Sequence, residues 1–316
     1  MKIEQRGAVT MVWEEGLRTG WERWILLQSD QHYDSVTCNR ELLKADLDEA
    51  KRRRAWIISV GDWFDAMQGR FDPRRSMAEL RPEYRREDYY DFVVEDASEF
   101  LKPYAKNLVV IADGNHELAV LKNANTSLTD RLVGNLRKAG SAVAHGGFGG
   151  WVILRFNVGD TTISMSLRVK YFHGAGSEAP VTRGVIQTNR QAVYLPDADL
   201  VVNGHNHNAY YVPIARERVT DHGMQYTDLA HFIRTPGYKQ DYADGSGGWT
   251  VTGGGVPKPI GCVWVKLKYI GGAGNGRNHN GRIEVSVTPE VRGPEPVTPA
   301  GDAYAGRVYA EDGEGA

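Results

Sequence analysis

Cysteine is nearly missing from this chain: Cys38 and Cys262 are the only two in 316 residues. Two thiols cannot build a disulfide scaffold or a thiolate zinc site by themselves, so a reducing compartment is expected. Long apolar runs are missing as well. No stretch approaches the roughly 20 apolar residues of a spanning helix, and the first twenty residues are charged, without the apolar core of a secretory signal. The expectation is a cytoplasmic protein with no membrane partner. An excess of positive charge is also absent, because 38 Lys+Arg stand against 40 Asp+Glu for a formal charge of −2. That excludes a protein holding nucleic acid by bulk positive charge alone. What remains is an ordinary globular composition, 41% hydrophobic and 25% charged, long enough for a large buried core. Against the two cysteines stand nine histidines, and imidazole with carboxylate makes a transition-metal ligand set.

Five short apolar runs, rich in β-branched and aromatic residues, predict buried strands at 24–27, 56–60, 108–111, 169–172 and 200–202. Helical spacing separates the first three. Leu42, Leu43 and Leu47 share a face within 41–54, and Phe92, Val93 and Phe100 share one within 88–104. Asn125-Thr126-Ser127 supplies cap chemistry for a third helix, to about residue 138. This alternation signals a layered α/β domain. Beyond Gly204 the texture turns to strands at 208–219, 225–234, 262–270 and 282–287, with glycine-rich connections at 245–255 and 271–281. We read a single domain over 1–292, with a motif core of about 24–210 and a β-rich part of about 208–292. Residues 293–316, rich in Pro, Gly and acid, are expected to form a poorly ordered tail.

Each of the first five strands ends in a polar cluster. These are Asp30-Gln31-His32, Gly61-Asp62-Trp63-Phe64-Asp65, Gly114-Asn115-His116-Glu117, His173-Gly174 and Gly204-His205-Asn206-His207. Ligands bind beyond the carboxyl ends of strands in open α/β sheets, so the clusters are expected to meet at one sheet edge. Singly each is weak: nine histidines in 316 residues give about 0.3 His-x-His pairs by chance. Five in order, each closing a strand, are not a chance pattern. All offer oxygen or imidazole donors, and none offers a thiolate. His145, His222 and His279 read as surface residues and His231 as packed core, while the turn at 234–239 could reach the cleft. The insert at 66–88 carries six arginines against five acids and reads as a solvated, salt-bridged loop.

The ordered set D-x-H, G-D-x-x-D, G-N-H-E, lone H and G-H-x-H resembles the calcineurin-like metallophosphoesterases, over about residues 24–210. The resemblance implies a four-layer α/β sandwich of two mixed β-sheets flanked by helices. It also implies a site for two divalent ions, Mn2+ first, with Fe, Zn2+ or Ni2+ as alternatives. Asp30, His32 and His207 would hold one ion; Asn115, His173 and His205 would hold the other; Asp62 would bridge them. His116 would face the substrate as phosphate binder or proton donor, and Asp65 and Glu117 would orient their neighbours. Physically, two ions roughly 3.5–4 Å apart can clamp a phosphate and turn a bridging water into a nucleophile at neutral pH. Two carboxylates, four neutral imidazoles and an amide around +4 leave about +2, which attracts an anionic ester.

Within the superfamily, G-D-W-F-D resembles the form common in DNA-repair exonucleases and related phosphodiesterases. The arginine and second glycine of the phosphoprotein-phosphatase signature are missing after Asp65, although Glu117 matches their G-N-H-E form. The lipid A precursor hydrolases usually have arginine where His116 stands. The expected activity is therefore phosphodiester hydrolysis, with DNA or RNA as the substrate class. A phosphomonoesterase and a non-catalytic scaffold are the alternatives. Arg183, Asn189 and Arg190, in the loop expected after His173, are candidate contacts to a second phosphate.

Overall fold

A computed structural model describes residues 2–66, 77–159, 161–176, 182, 184–242, 255–272 and 281–293. In chain order they form β1 (Lys2–Arg6), β2 (Val9–Leu17), β3 (Glu22–Gln28), α1 (Arg40–Arg52), β4 (Trp56–Ser59) and α2 (Tyr89–Leu101). Next come β5 (Leu108–Ile111), α3 (Asn115–Ala124), α4 (Leu128–Lys138), β6 (Ala144–His145), β7 (Gly149–Val158) and β8 (Ser164–Phe172). The last are α5 (Val185–Tyr194), β9 (Leu200–Asn203), β10 (Tyr210–Val219), β11 (Gln225–Arg234), β12 (Ile260–Ile270) and β13 (Arg282–Arg292).

Among the described residues the strands make two mixed sheets. One runs β1-β2-β7-β8-β9-β11-β10, and the other β13-β12-β3-β4-β5-β6. Period-two burial shows how they stack. In β3, Ile25 and Leu27 join the core between the sheets, whereas Leu26 faces the α1, α2 and α4 side with Leu43, Leu47 and Val93. In β9, Leu200 and Val202 point into the same inter-sheet core, and Val201 points outward to Ala192 of α5. Strands buried on both faces read as continuous apolar runs, which is why these segments are legible. The order of layers is thus α5, seven-stranded sheet, six-stranded sheet, and α1, α2 and α4: the expected four-layer α/β sandwich.

The helices start where their caps place them. Asn39 Oδ1 accepts from Leu42 N at 2.9 Å at the head of α1, and Ser127 Oγ accepts from Asp130 N at 3.1 Å at the head of α4. The differences from the sequence reading are additions. β1, β2, β6 and β7 have no counterpart in it, and α3 begins inside the G-N-H-E cluster. The segment after His173, expected as a loop through Arg190, is helical from Val185. The clusters also meet differently than expected. β3, β4 and β5 belong to one sheet and β8 and β9 to the other, so two sheet edges converge rather than one. The 293–316 tail and the 245–255 and 271–281 connections lie mostly outside the described residues. No described helix is long and apolar enough to cross a membrane.

Candidate metal centre

Every clustered residue sits just beyond a strand end. Asp30 and His32 follow β3, Asp62 and Asp65 follow β4, Asn115 and His116 open α3 after β5, His173 follows β8, and His205 and His207 follow β9. Backbone hydrogen bonds tie the loops together: Asp30 N donates to Gly61 O at 3.0 Å, His32 N to Asp62 O at 3.1 Å and Gly204 N to His173 O at 2.8 Å. Eight described non-glycine residues have positive φ, and five of them are Asp30, His32, Asp62, His205 and His207. Such left-handed backbone costs about 1 kcal/mol or more per residue and persists where the surroundings over-determine it. Its concentration here marks the site. The motif glycines allow the close approach: a Cβ on Gly114 would overlap the Asp62 carboxylate, and one on Gly204 would lie 2.7 Å from Asp30 Oδ2.

The side chains form three groups, two of them sharing His32, and within each group the candidate ligand atoms lie within 4.8 Å of one another: Asp30, His32 and His207; Asp62, His173 and His205; and His32, Asp65 and His116. In the first, the Nε2 atoms of His32 and His207 are 3.2 Å apart, and His207 Nε2 is 3.5 Å from Asp30 Oδ1. In the second, His173 Nε2 lies 3.1 Å from Asp62 Oδ2 and 3.2 Å from Asn115 Oδ1. Asp30 Oδ1 is also 4.0 Å from His173 Nε2, so this atom joins the first two groups. Asp62 Oδ1 accepts from His116 N at 3.0 Å, and its Oδ2 lies 3.8 Å from His116 Nε2.

The donor set fits divalent cations on two counts, and a third observation sets one group apart. First, His173 Nδ1 lies 2.7 Å from Val60 O. A carbonyl only accepts, so the proton of a neutral ring is on Nδ1 and the Nε2 lone pair faces the oxygens of Asp62 and Asn115. Lone pairs converging in this way call for positive charge among them, and a ring locked by its other nitrogen is how metal-binding histidines are oriented. Second, the carboxylates attract that charge strongly. Burial pulls His173 down, but Asp62 and Asp30 outweigh it and hold the imidazole up at about 10, so a proton competes for Nε2 at neutral pH and a cation binding there displaces it. Burial presses His207 down to about 4, leaving a neutral ring with a free lone pair at pH 7. Third, the group containing Asp65 is disfavoured as a cation site by its neighbour: Lys239 Nζ sits 3.1 Å from Asp65 Oδ1. The ammonium already neutralises that carboxylate and repels a second cation. The first two groups are the ones that could hold ions.

The supporting contacts come from residues near and far. Asp65 Oδ1 lies 2.8 Å from His32 Nδ1, and the Asp65 carbonyl accepts from His116 Nδ1. Glu117 binds three backbone amides: Gly114 N at 2.8 Å, Phe64 N at 2.9 Å and Asp62 N at 3.2 Å. It thereby locks the β4 loop to the start of α3. Burial and the Asp62 charge push the Glu117 carboxyl up to about 8, against the pull of those amides. Four participants were missed or only half seen in the sequence. Asp34 accepts from Asp65 N at 2.6 Å and Ala66 N at 3.0 Å, yet no motif spacing singles it out. Buried Arg234 donates to Gly204 O at 3.1 Å and Gln187 Oε1 at 3.0 Å, steadying the His205–His207 loop. Lys239 and Gly237 lie in the turn that the sequence places near the cleft.

Not every candidate joins the cluster. Asn189 and Arg190 are exposed on α5, whose Thr188 and Gln191 face inward to Tyr210 and Asn203. The expected phosphate contact is therefore not built from a loop, and Arg183 lies outside the described residues. His145 is half-buried rather than on the surface, 3.0 Å from Asp113 Oδ2. His231 is packed core, its ring stacked on Tyr211.

No family model and no curated protein matches the chain. Among solved structures it is similar to a Streptococcus pneumoniae protein described as a predicted phosphoesterase, at 12% identity over 84% of this chain and 99% of that one, TM-score 0.30. It is also similar to Vps29 of Entamoeba histolytica complexed with Zn2+, at 10% identity, 84% and 98% coverage and a TM-score of 0.33. GAP50, the anchor in the inner membrane complex of Plasmodium, matches at 13% identity, 78% and 81% coverage and a TM-score of 0.34. TM-scores this low leave the functional reading to the side chains.

Proposed function

We propose that the chain is a dinuclear-metal-dependent phosphoester hydrolase of the calcineurin-like metallophosphoesterase type, acting on phosphodiesters and, among them, nucleic acid. One observation carries the reading: five ordered motifs from two sheets bring Asp30, His32 and His207 beside Asp62, His173 and His205. Asn115 adds a neutral oxygen 3.2 Å from His173 Nε2. When bound, two divalent ions supply Lewis-acid charge to the phosphate oxygens and make water a usable nucleophile at neutral pH. The protein's own work is orientation and proton transfer. Asp62 and Asp30 each reach more than one histidine, which suits a carboxylate shared between ions. Asp65 and Glu117 hold ligand loops rather than ions.

His116 has the placement of the proton donor. Its Nδ1 is engaged by the Asp65 carbonyl, so Nε2 is the free nitrogen at the cluster's edge. Burial pulls its pKa down, and a bound phosphate anion would restore the proton that the leaving alkoxide then takes. A diester is favoured over a monoester because Ala66 stands where the phosphatase signature has its arginine. The test is hydrolysis in Mn2+ of an aryl phosphodiester, an aryl phosphomonoester, single- and double-stranded DNA, and RNA. Faster turnover of the diester and cleavage of a nucleic acid are expected. A monoester preference would overturn the diester assignment, and ion binding without any hydrolysis would favour the scaffold alternative.

A further inference from the structure

We propose that Lys239 is a positioning residue of this centre, acting through Asp65 to aim the His32 imidazole; the inference rests on the metal-centre reading above. The Lys239 side chain is only 11% exposed, and its Nζ lies 3.1 Å from Asp65 Oδ1 and 3.9 Å from Glu79 Oε2. The same Asp65 oxygen is 2.8 Å from His32 Nδ1, and His32 Nε2 is 3.2 Å from His207 Nε2. Two contacts and the His32 ring therefore lead from the ammonium to the nitrogen that faces the ligand group.

The backbone around Lys239 is pinned. Tyr238 N donates to Asp30 O at 3.0 Å, Asn39 N to Tyr238 O at 2.8 Å and Gln240 N to Thr37 O at 2.8 Å. The turn that carries the lysine is thus held to the loop that carries Asp30 and His32. A buried ammonium costs several kcal/mol unless it is well paired, and a well-packed apolar residue is often no worse for stability. Here the cation also sits beside a site that collects cations. A position that opposes metal charge calls for a compensating role. That role is to fix the Asp65 oxygen 2.8 Å from Nδ1, so that its charge holds the ring with Nε2 at the first ligand group, and to keep Asp65 itself from binding the ion.

A plain structural ion pair makes a different prediction, because losing it would loosen the fold and weaken both ions alike. The test is calorimetric titration of the chelator-stripped 316-residue chain with Mn2+, for wild type, Lys239→Met, Lys239→Gln, Lys239→Arg, Asp65→Asn and Lys239→Met/Asp65→Asn. We expect two ions in wild type. Lys239→Met and Lys239→Gln should weaken one ion by roughly 10–100-fold, the usual effect of losing an orienting partner, and leave the other within about twofold. Lys239→Arg should restore most of the loss, and the double variant should bind no more weakly than Asp65→Asn alone. Unchanged affinity in either neutral variant, equal weakening of both ions, or additive losses in the double variant would each overturn the Lys239 assignment while leaving the metal centre standing. A wild type that bound no ion would overturn the metal centre and this inference together.

Discussion

At the scale of single residues, the cluster divides labour by what each side chain's second atom touches. His173 and His116 are locked by carbonyls, at Val60 and Asp65, and His32 Nδ1 lies 2.8 Å from the Asp65 carboxylate. Each ring then presents one defined nitrogen. Replacing His116 by Ala should leave Mn2+ binding intact and lower phosphodiester turnover by roughly 10²–10⁴-fold; wild-type turnover would remove His116 from the proton-transfer role. Away from the site, Asp46 is the residue with the clearest pH consequence. It is buried, and that burial raises its carboxyl to about 6 despite hydrogen bonds from Tyr238 Oη at 2.8 Å and from the Cys262 thiol. A raised carboxyl is tolerated when protonated, so its penalty is absent below about pH 4, grows between about 4 and 6, and is complete above that. Asp46→Asn should therefore be more stable than wild type by about 1–3 kcal/mol at pH 7.5 and no more stable at pH 4. Urea unfolding at the two pH values measures this, and a gain independent of pH would contradict it. The motif residues were legible because each sits beside its neighbours in the chain. Asp34 and Lys239 were not, since their roles exist only through partners such as Asp65, 174 residues from Lys239.

At the scale of elements, strand ends and the turns beyond them do the positioning, and glycine sets how closely they meet. Gly114, which precedes α3, packs so tightly on the β4 loop that a methyl group would overlap both the Asp62 carboxylate and the Asp62 backbone nitrogen. Gly134, inside α4, has nothing within 4 Å of its would-be Cβ. Gly114→Ala should cost at least one Mn2+ ion about a hundredfold or more in affinity. Gly134→Ala should keep both ions and gain up to about 1 kcal/mol from helix propensity. Similar metal binding in the two variants would show that the close approach at Gly114 does not matter. The five central strands and the capped helices α1 and α4 were readable from apolar runs and cap residues. The amphipathic helix α5 and the strands β2 and β7 were not. β7 alternates buried and half-exposed positions, and its identity as a strand comes from pairing with β2 and β8.

At the scale of the whole molecule, the centre lies where two sheets bring buried carboxylates and imidazoles together. Ions that bind only the folded state stabilise it by mass action, about 2.7 kcal/mol each at a hundredfold excess over Kd. Mn2+ added to chelator-treated protein should raise Tm by roughly 5–10 °C, taking about 2 °C per kcal/mol for a chain of this size. Asp62→Ala should lose most of that rise, and a full rise in that variant would contradict the placement of Asp62 among the ligands. The sequence by itself determined the layered α/β class and the identities of the clustered residues, because strand burial and D-x-H-like spacings are local properties of the chain. Tertiary structure alone decided three things. It brought the clusters together from two sheet edges, it placed Asp30 Oδ1 between both ligand groups, and it set Lys239 against Asp65. The reason is physical: burial, charge pairing and lone-pair direction depend on distances in space, and packing two sheets face to face creates distances that no local spacing encodes.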